Sequence, residues 1–288
     1  MTHMIKTALL LALLSALLLM TGQLLGGQAG LTTAFILMLA MNFGSYWFSD
    51  SIVLKMHRAV PITQEQAPEI FKMTEELAVQ AKIPMPKLYW ISSASPNAFA
   101  TGRNPKHAAV ALTQGLVQSL NQDELRGVIA HELGHVIHRD TLTSTMIAVI
   151  AGTISYAAMM LRWSLAGHGA SSGRRDQQAN PILLVLFAVL MPLAAAMIRL
   201  AVSRTREYAA DDKGAELSGN PLYLASALQK ISIGARKAPM PDANPAAAHL
   251  FIVSPLFGAN FNSLFATHPP VEKRIARLEA MARPYALR

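Results

Sequence analysis

Long apolar stretches dominate the first fifty residues of the chain. No charged residue occurs from Thr7 to Ser49, and a glycine-rich stretch at 26–30 divides this span into two segments, Thr7–Leu25 and Leu31–Phe48. Each segment is close to the roughly 20 residues that a helix needs to cross a bilayer. A secretory signal peptide is the alternative for the first segment, but its apolar core is long for that role and a second segment follows at once. The pattern therefore predicts two membrane-spanning helices.

Two further uncharged runs, Thr141–Leu161 and Gln177–Ile198, are also long enough to span a membrane. Buried core helices are the alternative for this pair. We predict four spans, which divide the chain into an N-terminal hairpin at 1–50, a second hairpin at 141–202, and two polar parts at 51–140 and 203–288. Because two spans return the chain to the side it left, both polar parts are expected on one side of the membrane.

The first polar part has the pattern of a small α+β unit. Apolar residues at helical spacing predict a helix over Gln64–Ala81, and two short β-like runs follow at Lys87–Ile91 and Ala108–Leu112. Between these runs stands Pro96–Gly102, a candidate edge strand. An edge strand beside a catalytic centre can hold an extended peptide by β-augmentation, whereas an ordinary hairpin loop is the alternative. The residues alone do not choose between the two.

The segment that starts at Asn121 carries a helix-start pattern and the main chemical motif. Asn121 with Glu124 matches a capping box, and apolar residues then recur at helical spacing. The same helix contains the motif H-E-x-x-H, with His131, Glu132 and His135. Histidines four residues apart share one helix face and can bind one Zn²⁺ ion, which leaves Glu132 placed to take a proton from a bound water. A coincidental match on a surface helix is the alternative.

A catalytic zinc site needs a third protein ligand. The metzincin arrangement is excluded, because His138 and Thr141 occupy the positions where it requires Gly and His. The remaining candidates are carboxylates on later helices: Glu207, Glu216, Glu272 and Glu279. Glu207 is favoured because Asp211 lies at i+4 on the same helix face, where its carboxylate can accept the ring N–H of a ligand histidine. An exposed helix with i,i+4 ion pairs is the alternative.

Composition and charge narrow the function classes. Hydrophobic residues make up 52% of the chain and charged residues 15%, which is too apolar for an ordinary soluble domain. The net charge of +8 fits a domain held against anionic lipid. A nucleic-acid partner is not expected, because the basic residues are scattered rather than gathered with aromatics. The absence of cysteine excludes thiolate ligands and disulfides.

The distribution of Lys and Arg predicts the orientation in the membrane. Lys6 precedes the first span and several lysines and arginines follow the second, whereas the connection between them carries none. The positive-inside rule then places the N-terminus and the polar parts in the cytoplasm. Arg162, Arg174 and Arg175 disagree, because they lie between the third and fourth segments, on the side predicted to be outside.

The C-terminal part offers one more candidate. Thr267–Pro270 precedes an amphipathic helix predicted over Val271–Arg283. His268 is either an electrophilic helper at the site or a helix-start histidine with a structural hydrogen bond, and its spacing does not choose. Six other histidines lack ligand spacing and are interpreted as surface or structural residues: His3, His57, His107, His138, His168 and His249.

Taken together, the motifs resemble those of the HtpX heat-shock membrane proteases, which are distantly related to the prenyl-protein CAAX endopeptidases. The likeness rests on the four apolar segments, Asn97–Gly102, His131–His135, Ser203–Asp211 and Thr267–Pro270, in that order. It implies a mainly α integral membrane protein with four transmembrane helices and a zincin-like α+β catalytic domain. It also implies a multi-pass protein of the bacterial inner membrane whose catalytic domain faces the cytoplasm.

The resemblance assigns roles to individual residues. It implies His131, His135 and Glu207 as ligands of one zinc ion per chain, and Glu132 as the catalytic base. It favours the edge-strand interpretation of the stretch that contains Asn97, Ala98, Phe99 and Ala100. It gives Asp211 a supporting role and places His268 near the site.

The function implied is hydrolysis of peptide bonds in membrane proteins during quality control. The substrates are then polypeptides and the lipid bilayer is the second partner. One alternative is an inactive, zinc-bound membrane chaperone or scaffold. Another is a prenyl-CAAX processing protease, for which more than four spans are expected. Substrate preference and oligomeric state are not predicted.

Overall fold

The computed structural model describes residues 2–148, 150, 204–240, 247–254 and 268–282. Most of the third predicted membrane segment, Thr141–Leu161, and the whole of the fourth, Gln177–Ile198, lie outside the described residues. The described parts consist mainly of helices, with one small sheet.

The N-terminal helix α1, Thr2–Met56, is two helices that meet at Gly27, whose backbone leaves the helical region with φ 55° and ψ −140°. A Cβ atom on Gly22 would lie 2.5 Å from both the Cβ of Ala34 and the carbonyl oxygen of Gly30. The two halves therefore turn back and pack on each other through small residues, as membrane helices often do. Within the described residues, the stretch Gly26–Phe48 is long and apolar enough to cross a membrane.

A four-stranded sheet follows, made of β1 (Val60–Pro61), β2 (Lys87–Ile91), β3 (Ala98–Thr101) and β4 (Ala109–Thr113). The strand order is β1-β2-β4-β3, with β2 and β4 parallel and the two outer strands antiparallel to their neighbours. In the part of the chain that the structure describes, β3 is thus an edge strand. The prediction that the stretch Pro96–Gly102 contains an edge strand is confirmed. The strand predicted at Ala108–Leu112 lies one residue further on, as β4.

The described residues contain seven further α-helices: α2 (Pro68–Gln80), α3 (Gln114–Ser119), α4 (Gln122–Ile137), α5 (from residue 140), α6 (Arg204–Ser218), α7 (Pro221–Lys237) and α8 (Val271–Ala282). Two short 3-10 helices, Pro105–His107 and Ala248–Leu250, are also present. Helix α2 begins four residues later than predicted. Pro68 occupies its first position, and a turn precedes it in which the side chain of Gln66 accepts a hydrogen bond from the Thr63 amide.

Helix α4 is the centre of the domain. Its apolar side chains are almost completely buried, and it packs against β3, α2, α6 and α7. The predicted capping box at its start is present, since Asn121 and Glu124 exchange hydrogen bonds of 2.8 and 2.9 Å. The Glu124 carboxylate also accepts hydrogen bonds from Ser226 and Lys230 of α7, at 2.6 and 2.8 Å. Glu124 of the capping box therefore also fixes α7 against α4.

Glycines allow α4 to approach its neighbours closely. A Cβ atom on Gly134 would lie 3.1 Å from the Cα of Ala210 in α6, and one on Gly214 would lie 3.0 Å from the backbone nitrogen of His131. These distances are shorter than nearly all real Cβ contacts. The glycine between the two motif histidines thus permits a close crossing of α4 and α6, which brings side chains of both helices to one point.

We expect Gly127→Ala to destabilise the domain. Its new Cβ would lie 2.7 Å from the backbone nitrogen of Leu224, where no flexible side chain can give way. Overpacking of this kind costs about 1–3 kcal/mol. Gly44→Ala is the matched control, because nothing lies within 4 Å of its added Cβ. Thermal unfolding of the detergent-solubilised protein should show a lower midpoint only for Gly127→Ala, and equal midpoints would contradict this packing.

Candidate metal and active site

The structure brings the three predicted metal ligands together. His131 and His135 lie one turn apart on α4, and Glu207 lies in the first turn of α6. One donor atom from each residue lies within 4.8 Å of the other two, a spacing at which one metal ion can be held. The carboxylate oxygens of Glu207 lie 3.6 Å from Nε2 of His135 and 3.9 Å from Nε2 of His131.

The other carboxylates considered for the third ligand lie elsewhere. Glu216 is exposed and forms an ion pair of 2.7 Å with Lys213 on its own helix. Glu272 and Glu279 are exposed on α8. Among the described residues, the geometry favours Glu207 as the third ligand.

Each histidine presents its other ring nitrogen to a carboxylate. Nδ1 of His131 lies 3.0 Å from Asp211, and Nδ1 of His135 lies 3.5 Å from Asp140. In metal sites such contacts fix the tautomer that leaves Nε2 for the metal. Asp211 was predicted for this place. Asp140 was not, although its position shortly after the second histidine was a signal.

A buried arginine, Arg274 of α8, contacts the carboxylates Asp211 and Glu207 of the site. Its guanidinium is fully buried and donates hydrogen bonds of 2.6 and 2.9 Å to Asp211. It lies 3.6 Å from Glu207 and also donates to the carbonyl oxygen of Ile252 at 3.0 Å. Sequence reasoning missed this residue. A signal was available, because Arg274 completes the i, i+3, i+4, i+7 pattern of the apolar face of α8.

Burial and neighbouring charges shift the pKa values in opposite directions. Burial lowers the pKa of His131 to about 4 and raises that of Glu132 to about 7. Burial also opposes charge on His135 and Glu207, but other groups outweigh it there. Asp140 and Glu207 raise the pKa of His135 to about 9, while His268 and His135 hold the pKa of Glu207 well below its usual range. Glu207 therefore stays ionised although it is buried.

The donor set fits a divalent cation. Oε2 of Glu132 is buried and has no hydrogen-bond partner among the described residues. Buried carboxylate oxygens without partners are costly, and a bound cation would compensate this cost. Two imidazoles and one carboxylate are also the protein ligands found in catalytic zinc sites that keep a position open for water or substrate.

His268 lies against Glu207, with Nδ1 3.3 Å from its carboxylate, while Nε2 lies 3.1 Å from the carbonyl oxygen of His249. Both ring nitrogens thus face groups of the protein, which favours a structural role over an electrophilic one. His249, interpreted from the sequence as a surface or structural residue, is buried and lines the cleft beside Glu132 and Glu207. The sequence carried no signal for that position, since a long stretch of chain separates His249 from the motif.

The edge strand β3 borders the same cleft. Its first part is covered, because the carbonyl of Ala98 accepts a hydrogen bond of 3.0 Å from the amide of Ile252, and the side chain of Asn97 donates to the carbonyl of Val253 at 2.7 Å. Phe99 packs edge-on against Phe251, with ring centroids 5.2 Å apart. Ala100 lies further along the strand and lines the cleft together with Glu132.

Comparison with known proteins gives the class of this fold and site. Residues 64–282 match the model of Peptidase family M48, and the chain belongs to that family. The Protease HtpX homolog of Syntrophobacter fumaroxidans is 50% identical, over 96% of this chain and 98% of the relative. The Protease HtpX homolog of Pyrococcus furiosus is 51% identical, over 96% of each chain.

A solved structure shares the fold. The crystal structure of S. mikatae Ste24p matches with a TM-score of 0.51 and 21% sequence identity. The match covers 85% of this chain but only 57% of that one, so this chain spans little more than half the length of the structure it resembles. The resemblance to the HtpX-type proteases is confirmed, and the likeness to Ste24p extends to the fold.

We expect Arg274→Met to destabilise the protein strongly. The substitution leaves Asp211 as an uncompensated buried charge, and breaking a buried pair in this way costs about 3–5 kcal/mol. Arg277→Met is the matched control on the same helix, since its ion pair with Asp212 is exposed, and such pairs contribute about 0–1 kcal/mol. Chemical unfolding of both variants gives the comparison. Equal losses of free energy of unfolding would show that the buried network has no special weight.

Proposed function

We propose that the chain is a zinc-dependent endopeptidase held in a membrane. The observation that carries this proposal is the meeting of His131, His135 and Glu207 at one point beside a buried carboxylate, Glu132, in a cleft bordered by an edge strand. Membership of Peptidase family M48 supports the reaction class.

The residues suggest a mechanism. His131, His135 and Glu207 would hold the metal, and a bound zinc ion supplies polarisation of the peptide carbonyl and acidification of a water molecule. Glu132 would take the proton of the attacking water and pass it to the leaving amine. Its position supports this role, because Glu132 lines the cleft beside the proposed ligands His135 and Glu207.

The substrate is proposed to bind as an extended peptide along β3. The start of this strand is covered by the chain itself, so the position near Ala100, which lines the cleft, is where a substrate strand would add. Asn97 then acts indirectly, since its side chain fixes the segment that covers the start of the strand.

Membrane proteins are the proposed substrate class, with protein quality control as the proposed role. The position of the cleft supports this. Arg103, just beyond β3, donates a hydrogen bond to the carbonyl of Trp47 in α1 and lies over its ring at 4.5 Å. The strand that borders the cleft is thus tied to the end of an apolar helix. The printed name of the relatives, Protease HtpX homolog, agrees with the protease part of this proposal.

The proposed setting is the bacterial inner membrane, with four spans and the catalytic domain in the cytoplasm. In this arrangement 1–50 and 141–202 are the two hairpins, and 51–140 and 203–288 together form the catalytic domain. The turn at Gly27 and the contact of Gly22 with Gly30 and Ala34 support the first hairpin. The second hairpin rests on the sequence pattern.

The two alternatives are less well supported. An inactive chaperone or scaffold with a structural zinc would need neither a base nor a free metal position, yet Glu132 lies in the cleft, and the metal-ligand cluster found among the described residues has three members. A prenyl-CAAX processing role would rest on the fold of Ste24p alone, at 21% identity.

Glu132→Gln should abolish peptide cleavage while zinc remains bound, because the amide cannot accept the proton and all three proposed ligands are intact. Glu216→Gln is the control on α6, where the carboxylate is exposed and outside the cluster. Cleavage of a membrane-protein substrate and metal content are measured on the purified proteins. Normal turnover by zinc-loaded Glu132→Gln would overturn the proposed mechanism.

Topology can be tested directly, because the chain has no cysteine. In intact spheroplasts, a membrane-impermeant thiol reagent should label Gln28→Cys and Ser172→Cys, which lie between the predicted spans of each hairpin. It should label Gln229→Cys on α7 only after lysis. Protection of Ser172→Cys would mean that the third and fourth segments do not cross. Labelling of Gln229→Cys in intact cells would reverse the proposed orientation.

A further inference from the structure

Asp140 contacts a candidate metal ligand but has no part in the mechanism above. Its Oδ2 atom lies 3.5 Å from Nδ1 of His135, and its Oδ1 atom lies 3.8 Å from Nε of Arg206. The side chains of all three residues are 13–17% exposed. The Asp140 carboxylate therefore bridges a histidine and a guanidinium in a place largely shielded from water, where such contacts are stronger than at the surface.

The other motif histidine has the same arrangement. Nδ1 of His131 lies 3.0 Å from Asp211, which in turn receives two hydrogen bonds from Arg274. Each histidine thus contacts an aspartate that also pairs with an arginine. The two sets of contacts come from different elements, so the repetition is not a consequence of one helix geometry. It is the arrangement expected when both rings must be held with Nε2 towards one metal ion.

Asp140 also occupies a special place in the chain. It begins α5, where the third apolar segment starts, and Arg206 lies just after the end of the fourth. The first turn of α5 is fixed to the end of β3, because the hydroxyl of Thr141 donates a hydrogen bond of 2.9 Å to the carbonyl of Gly102. The contact between Asp140 and Arg206 therefore joins, at the candidate metal site, the two points of the chain that flank the predicted second hairpin, 141–202.

We propose that Asp140 is a positioning residue of the metal centre. It holds the His135 ring so that Nε2 faces Glu207, and Arg206 holds Asp140 in place. The orientation of this ligand then depends on the spacing between the two ends of the second hairpin. The inference rests on the proposed function only in that His135 binds a metal ion.

Zinc affinity tests the inference without any cleavage assay. Asp140→Ala in the full-length, detergent-solubilised protein should bind zinc about 10–100-fold more weakly, measured by competition with a chelator. The absorption spectrum of the cobalt-substituted protein should also change, because the His135 ring loses its fixed orientation. Asp140→Asn keeps the shape of the side chain and should change both readouts in the same direction, with the thermal midpoint of the zinc-free protein unchanged.

Asp212→Ala is the matched control. Asp212 forms an ion pair of 2.6 Å with Arg277, but this pair is about 40% exposed and lies outside the cluster. Its zinc affinity and cobalt spectrum should equal those of the wild type. Arg206→Gln should weaken zinc binding less than Asp140→Ala, and it should add little in the Asp140→Ala background, because both act through one contact.

The outcomes separate the two proposals. A wild-type chain that binds no zinc would overturn the proposed function. Zinc binding by the wild type with unchanged affinity and cobalt spectrum in both Asp140 variants would overturn only the positioning role. Fully additive effects of Arg206→Gln and Asp140→Ala would show that Arg206 does not act through Asp140.

Discussion

The buried guanidinium of Arg274 is the constraint on which the rest of the site depends. An arginine charge without water is tolerable only when it is paired and hydrogen-bonded, and Asp211, Glu207 and the carbonyl of Ile252 supply the partners. These partners lie on α6 and on the segment that covers the edge strand. The guanidinium of Arg274 thus fixes α8, Glu207 and the border of the cleft relative to each other. Its positive charge also offsets the negative charges of Asp211 and Glu207.

Features encoded by local sequence were predictable. The capping box at Asn121 and Glu124, the helix that carries the H-E-x-x-H motif, and strands β2 and β4 all follow from neighbouring residues. Glu207 could be selected because its helical partner Asp211 lies one turn away. Helix α7 was not predicted, although Asn220 and Pro221 are typical of a helix start.

The site residues that were not predicted from the sequence take part in contacts between distant segments. From the sequence alone, Arg274 is interpreted as an exposed charge on a helix, and its burial becomes clear only when Asp211 lies opposite it. From the sequence alone, Asp140 only marks the start of an apolar segment, and its contacts with His135 on α4 and Arg206 on α6 become clear in the fold. His249 comes from a segment without regular periodicity. Arg274 and His249 contact partners far along the chain, and Asp140 contacts the distant Arg206 as well as the nearby His135. Local patterns gave weak signals for Arg274 and Asp140, whereas their burial beside opposite charges makes their role evident in three dimensions.

The position of Arg274 on the last described helix has a consequence for biosynthesis. Chains emerge from the ribosome N-terminal end first, so the motif histidines and Glu207 leave it before the guanidinium that holds them does. Until α8 docks, Asp211 and Glu207 lack the guanidinium that lies against both of them. A nascent chain therefore lacks the buried ion pair between Arg274 and Asp211 until α8 has been translated and has docked.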